Sequence, residues 1–324
     1  MNSNFLFKLL IDPLSKEPLH FDESSDTLIS SSSGNCYYLI KGIPRIMVND
    51  NQSVKKSDIH EDHDSEFKYS DHYQKDADIF NYSEKDMPAV SREEFKRLRE
   101  SIISEISENI NIVLDVGCGN GWAAKKLIPL GKKVISMDIS STNPVNTIKE
   151  VPHENHAGLI ADVYNIPLKE NSVDCIIASE ILEHVPDPEI FIINLVKLLK
   201  QNGKLIITTP YNEKIEYYLC VHCNKPTPKH AHLHSFTEEN IKQLVPQTGI
   251  TWSVKRFCNK YLAQIRSHIF LRFFPYSIWK LFDNLFNSVF NNATRLQVVI
   301  IKNNMKKTGI PHGVHLNISR TWRR

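Results

Sequence analysis

Between Val113 and Trp122 a short apolar run ends on Asp115 and passes into Gly117, Cys118, Gly119, Asn120 and Gly121. Glycines at that spacing let the backbone pass close to a ligand and take torsions that other residues resist. A dinucleotide loop would read G-x-G-x-x-G and rest a pyrophosphate on the next helix N-terminus. Here the spacing is G-x-G-x-G, and a carboxylate at Asp115 would repel a pyrophosphate but suits an ammonium group. Asp138 ends the next strand-like run, near the interval of about 20 residues at which a carboxylate grips ribose hydroxyls. Asp162 ends the run after that. Three carboxylates and no phosphate-binding lysine predict a nucleoside ligand that carries positive charge and no phosphate.

Two other constellations could do chemistry. Ser179-Glu180-Ile181-Leu182-Glu183-His184-Val185 follows a fourth apolar run, and His184 is either a general base or the residue that fixes this loop. Tyr73, beside His72 in a polar stretch ahead of the core, could fold over the pocket as a lid, or lie on a solvated helix. Further on, Cys220 and Cys223 share a C-x-x-C spacing, and His232 and His234 alternate in an extended segment. These four could make a tetrahedral zinc site, structural because no coordination position stays open. A reduced thiol pair with surface histidines is the plainer alternative.

The elements that position these residues alternate. Ile112–Leu114, Val134–Met137, Gly158–Ala161, Val173–Ala178 and Lys204–Thr208 are short apolar runs separated by helical patterns, notably Pro188 to Lys200. Buried strands alternating with helices imply an α/β protein with a parallel sheet covered on both faces. Thr251–Phe257 and Arg295–Ile301 could add edge strands. Ser91 and Glu94 form a capping box that predicts a helix start, followed by Phe95, Leu98 and Ile102 at helical spacing. The expected division is a small β-rich module at 1–48, a linker and possible active-site lid at 49–90, the main domain at 91–303, and a basic tail at 304–324.

Of 324 residues, 41% are hydrophobic and 23% charged, and 39 Lys and Arg stand against 37 Asp and Glu. The apolar content excludes a wholly disordered chain, and the charge balance gives no basic face for nucleic acid. The N-terminus lacks a basic n-region and no apolar run reaches membrane-spanning length, which predicts a soluble, cytoplasmic protein. Ile278, Leu281, Phe282, Leu285, Phe286, Val289 and Phe290 fall on one helical face. It predicts a core-facing or pocket-covering helix, with peripheral membrane contact through residues 269–290 as the alternative.

The glycine loop with Asp138 and Asp162 resembles the class I S-adenosylmethionine-dependent methyltransferases of the type 11-like group, over roughly residues 70 to 302. The resemblance implies a Rossmann-like seven-stranded sheet of order 3-2-1-4-5-7-6, with strand seven antiparallel at Arg295–Ile301. It implies S-adenosylmethionine as cofactor, its methionine part over Gly117, Cys118, Gly119 and Gly121 and its amino group at Asp115. Asp138 with Ile139 would hold the ribose, Asp162 with Val163 the adenine, and Ser179 and Glu180 would close the site. The Leu-Glu-His-Val segment is similar to that of small-molecule methyltransferases, and the N-P-P-Y motif of amide- and base-nitrogen enzymes is missing. The expected reaction is methylation, at oxygen rather than nitrogen, of a small-molecule or glycan- or lipid-linked acceptor. An RNA methyltransferase and an inactive cofactor-binding scaffold are the alternatives. Residues 1–48 resemble a zinc-ribbon-like module without its metal cysteines, which would fall near Asp12, Ser15 and Ser31–Gly34.

Overall fold

The computed structural model describes residues 4–48, 68–80, 87–221, 224–265 and 267–303. In chain order the elements begin with α1 (Asn4–Phe7), β1 (Leu19–Asp22), β2 (Thr27–Ser30), β3 (Cys36–Ile40) and β4 (Ile43–Ile46). Then come α2 (Tyr69–Ile79), α3 (Ala89–Ile103), β5 (Ile112–Val116), α4 (Trp122–Leu127), β6 (Lys133–Asp138) and α5 (Thr142–Glu150). The central part continues through β7 (His156–Ala161), β8 (Val173–Ser179), α6 (Pro188–Leu198), β9 (Leu199–Pro210), β10 (Tyr217–Leu219) and β11 (Pro226–Pro228). The last elements are α7 (Glu238–Leu244), β12 (Ile250–Asn259), α8 (Lys260–Gln264), α9 (His268–Leu271), α10 (Tyr276–Val289) and β13 (Ala293–Lys302).

One sheet dominates, in the order β1-β2-β3-β4-β7-β6-β5-β8-β9-β13-β12. From β4 to β9 across the middle the pairing is parallel, and β13 runs antiparallel to both β9 and β12. The central strands are apolar at successive residues because both faces are covered. Val113, Val134, Ile177 and Ile206 pack with Leu98 and Ile102 of α3 and Ala123 of α4. Their neighbours Leu114, Ile135, Ile176 and Leu205 pack on the other face with Phe191 and Leu195 of α6.

Residues 4–48 depart from the expected separate module. β4 pairs in parallel with β7, Ile46 opposite Ala161, and Leu10 bridges Leu168. Leu6, Leu28 and Tyr37 belong to the same core as Leu159 and Leu168. The segment therefore covers the edge that β7 would otherwise leave unpaired, which a soluble sheet must protect. At its centre Asp12 is fully buried and accepts hydrogen bonds from Leu14 N–H (2.9 Å), Ser15 (3.0 Å), Ser33 (2.6 Å), Asn35 (3.1 Å) and Tyr37 (2.8 Å). A carboxylate and its donors thus stand where a ribbon would place metal thiolates. Burial pushes the Asp12 carboxyl up, but the bonds from Ser33, Leu14, Tyr37 and Asn35 outweigh it and hold it well below the usual carboxylate range. Its contribution to stability is present above the unfolded pKa and is lost only as pH falls through that depressed value. Asp12→Ala is expected to cost about 3 kcal/mol, since the buried Tyr37 hydroxyl and four partly exposed donors lose their acceptor together. Differential scanning calorimetry should show a midpoint lower by about 5–10 °C.

Two other expectations change. α3 starts at Ala89 behind Pro88, so Ser91 is not its cap; Glu94 instead binds Thr294 (2.8 Å) and Arg295 (3.3 Å) of β13. Tertiary ion pairing took the side chain that the capping box needed. On α10 the buried residues are Trp279 and Asp283, whereas Ile278, Leu281, Phe282, Leu285, Val289 and Phe290 are exposed. Apart from Phe286, which packs against the core, the predicted core-facing stripe thus faces outward, because the helix docks by Trp279 and Asp283. No helix among the described residues is long and apolar enough to cross a membrane. The expected tail, residues 304–324, lies outside the described residues, as does most of the expected linker.

Candidate active site

The carboxyl ends of the parallel strands converge, and there an open α/β sheet holds its ligands. Asp115 is on β5, Asp138 ends β6, Asp162 follows β7, and Ser179 ends β8 with Glu180 after it. The glycine loop leaves β5 with Gly117, Gly119 and Gly121 all at positive φ (67°, 46° and 68°). A side chain at Gly117 would strike Ile181, and one at Gly121 would strike Thr147. At Gly119 the added carbon would meet only the loop's own Gly117 carbonyl, at 3.9 Å, so the open part of the cradle lies over Gly119. Cys118 is buried and its N–H donates to the Met137 carbonyl, which ties the loop to β6.

The acids around the loop are prepared for a ligand. One Asp115 carboxylate oxygen is buried with no hydrogen-bond partner. Burial, with the nearby Asp138 charge second, pushes the Asp115 carboxyl up to about 8. An incoming ammonium would restore the charged form. Asp138 is oriented by Ser140 N–H (2.9 Å), the Ser140 hydroxyl (3.0 Å) and Asn143 (3.0 Å), with half-buried Ile139 next to it. Asp162 accepts the Tyr164 N–H (3.0 Å) and the Tyr69 hydroxyl. The orphaned oxygen, the open Gly119 face and the braced Asp138 fit a nucleoside with a free amino group, as S-adenosylmethionine is.

Protonation gives this site a pH signature. Below about 8 Asp115 is neutral in the free protein and must release its proton to pair with an ammonium. Affinity for S-adenosylhomocysteine should therefore rise about tenfold per pH unit up to that point and then level. Titration calorimetry between neutral and mildly alkaline pH, in buffers of different ionisation enthalpy, measures both the slope and the released proton.

α2 lies across the strand ends. Tyr69 touches Asp162 and meets Tyr164 edge-on at 6.2 Å, and Gln74 accepts the Ser141 N–H (2.8 Å). Tyr73 donates to the His184 backbone carbonyl (3.3 Å) and stands edge-on to its imidazole at 6.0 Å. The structure thus brings Tyr73 and His184 together. Sequence reasoning missed Tyr69 and Gln74, whose only sequence signal is a short stretch ahead of the core, and Tyr164, which follows Asp162 after β7.

A second cluster forms where the loop after β8 meets the segment ahead of α7. Glu183, His184 and His232 place one ligand atom each within 4.8 Å of one another, an arrangement that could hold a metal ion. Backbone bonds build it: Leu233 N–H donates to the Glu183 carbonyl (2.8 Å), which draws His232 against His184, their rings 4.8 Å apart. Glu183 is buried and takes the Thr209 hydroxyl at 2.9 Å. Glu180 turns toward β13, where Arg295 approaches at 3.1 Å, and its other carboxylate oxygen is buried without a partner. Burial pushes both carboxyls up, and the Glu180 charge pushes Glu183 further. His184 is held down to about 4, first by burial and then by the neighbouring His232. Its Nδ1 lies 3.3 Å from the Ala231 carbonyl, which leaves Nε2 as the free lone pair.

The expected zinc set does not assemble as predicted. His232 Nδ1 meets Glu213 at 2.5 Å, while His234 Nε2 meets the Val185 carbonyl at 3.0 Å. Among the described residues the ligand cluster contains neither Cys220 nor His234, and Cys223 lies outside them. The loop closes by backbone pairing with Glu183, so its histidines are drawn to the active-site rim.

The sequence matches the family described as "Methyltransferase domain" over residues 84–252. Among curated proteins it resembles the ubiquinone biosynthesis O-methyltransferase of Rickettsia canadensis, at 32% identity over 47% of this chain and 69% of that protein. The mitochondrial protein of the same description from Rattus norvegicus is 31% identical, over 43% of this chain and 38% of its own length. A solved S-adenosylmethionine dependent methyltransferase from Mesorhizobium loti aligns over 64% of this chain and 98% of its own, at 17% identity and a TM-score of 0.47. With the domain match covering just over half the chain, this protein belongs to the class I S-adenosylmethionine-dependent methyltransferases.

Proposed function

We propose that the protein transfers the methyl group of S-adenosylmethionine to a hydroxyl of a small-molecule or glycan- or lipid-linked acceptor. The observation that carries the reading is the cluster of Glu183, His184 and His232, one ligand atom from each within 4.8 Å of the others. Transfer from a sulfonium needs the acceptor oxygen aligned behind the methyl, and alignment supplies much of the rate. A hydroxyl must also lose its proton, which an amine acceptor need not. His184 is too weak a base at about 4 to take that proton unaided. Its neutral imidazole, the His232 imidazole and the buried Glu183 carboxylate instead suit a divalent cation, which would act as a Lewis acid on the acceptor hydroxyl.

On this reading Asp115, Asp138 and Asp162 hold the amino, ribose and adenine parts, and Gly117 to Gly121 underlie the methionine. Tyr69, Tyr73 and Gln74 on α2 cover the bound cofactor and exclude water. The curated relatives are described as O-methyltransferases of ubiquinone biosynthesis, which agrees with a hydroxyl acceptor. The test is transfer of labelled methyl to three acceptor pools: phenolic and polyprenyl-linked hydroxyl compounds, glycans, and RNA. Label in the first or second pool, stable to the hydrolysis that removes esters, supports the proposal. Label in RNA alone, or none despite cofactor binding, overturns it.

A further inference from the structure

Residues 260–292 form a surface that neither the cofactor site nor the acceptor chemistry requires. Twelve of the 23 large apolar side chains exposed among the described residues fall in this short stretch. Phe270 (73% exposed), Phe273 (75%) and Leu281 (69%) lead it, with Leu285 and Val289 continuing along α10. Scattered exposed apolar residues are ordinary, but a contiguous patch of this kind marks an interaction site.

The patch is held in shape. Arg97 of α3 is fully buried and donates to the carbonyls of Leu271 (2.5 Å) and Phe274 (3.3 Å), with Glu93 (2.6 Å) and Glu100 (2.8 Å) as counterions. Its guanidinium also lies over the Trp279 ring at 5.5 Å. A buried charge of this cost fixes the turn that presents Phe273 and Phe274 to solvent. α10 is anchored by Trp279 and by Asp283, which accepts the Cys258 and Asn259 N–H groups.

Charge selects the partner. Lys260, Arg272 and Lys280 are exposed on this segment, and Arg272 spreads over the Phe273 ring at 4.6 Å. Lys96 of α3 reaches the Arg272 carbonyl at 3.0 Å. The segment's one acid, Asp283, is buried. Exposed aromatic and aliphatic side chains flanked by cations, with no exposed acid between them, match the boundary between anionic headgroups and acyl chains. A cavity of about 170 Å³ beneath this face is walled by Leu262 and Trp279 and reaches Glu94. Glu94 pairs with Arg295, which pairs with Glu180.

We propose that the face built by α9, the turn after it and α10 docks the protein on an anionic phospholipid bilayer. This inference stands on the surface and not on the methyl-transfer reading. The full chain is spun with vesicles of phosphatidylglycerol mixed with phosphatidylcholine, and with phosphatidylcholine alone. Sedimentation with the mixed vesicles is expected, and loss of it in high salt. Phe273→Asp/Leu281→Asp, both at exposed positions, should lower the partition coefficient about tenfold or more. Arg272→Ala/Lys280→Ala should weaken binding to the mixed vesicles about tenfold and change little on neutral ones. Unchanged affinity for S-adenosylhomocysteine in each variant shows that the fold is intact. Wild-type protein left in the supernatant with both vesicle types, or aspartate variants that bind like wild type, overturns the proposal. So does a wild-type dimer that the aspartates dissociate in sedimentation velocity without any vesicle binding, because the face then belongs to a second copy.

Discussion

Replacing Asp138 by alanine is expected to raise the dissociation constant for S-adenosylhomocysteine by two orders of magnitude or more. The carboxylate ends β6 and is aimed by Ser140 and Asn143, which spend part of its acceptor capacity and fix its direction. Burial has already raised its pKa, so much of the cost of stripping its water was met in folding. Each hydrogen bond to a charged group contributes about 1.5–3 kcal/mol. Two ribose hydroxyls therefore account for about 3–6 kcal/mol, and every 1.4 kcal/mol or so is tenfold in affinity. Titration calorimetry reads the change directly. Asp138→Asn, which keeps the acceptor for the Ser140 N–H, serves as the folding control and should bind between the two. An Asp138→Ala protein that binds like wild type would remove this residue from the cofactor site.

Glu183→Gln and His232→Ala are expected to lower turnover about a hundredfold to a thousandfold, the usual scale for removing one preorganised electrostatic group. Their affinity for S-adenosylhomocysteine should hold, because the cluster includes neither the glycine loop nor Asp115, Asp138 or Asp162. On the proposed reading a chelator lowers wild-type turnover and magnesium or manganese restores it, while the Glu183→Gln enzyme responds to neither. Here pH supplies a separate check. His184 is neutral down to about 4, so it contributes no acidic limb near its ordinary value of 6.5. A limb at 6.5 that His184→Ala abolishes would show a free imidazole acting as base. Turnover near wild type in both Glu183→Gln and His232→Ala would sink the cluster as the catalytic group.

Much of this site is legible along the chain because its parts are local. Asp115, Gly117, Gly119 and Gly121 are one strand end and the turn after it, and positive backbone torsions in a short loop demand glycine wherever they occur. Asp138 and Asp162 end the next strands of a repeating strand and helix pattern, so alternation places them on the same edge. Tyr73 and His184 were expected at the pocket, and α2 does set them edge to edge. By contrast, Cys220 and Cys223 with His232 and His234 have ligand spacing. Spacing says nothing of where a long loop turns.

The sequence by itself determined the parallel sheet, the cofactor loop and the three acids, since each follows from backbone torsion limits or from the periodicity of burial. Only the tertiary structure decided what meets across long separations. Pairing of β4 with β7 made residues 4–48 an edge of the main sheet, with Asp12 and its hydroxyl donors at the centre. Backbone bonds from Leu233 to Glu183 brought His232 to His184. Docking through Trp279 turned most of the apolar face of α10 outward. Helical periodicity shows that α10 has an apolar face; whether that face is buried depends on the shape of the surface the helix meets, and no local pattern records that.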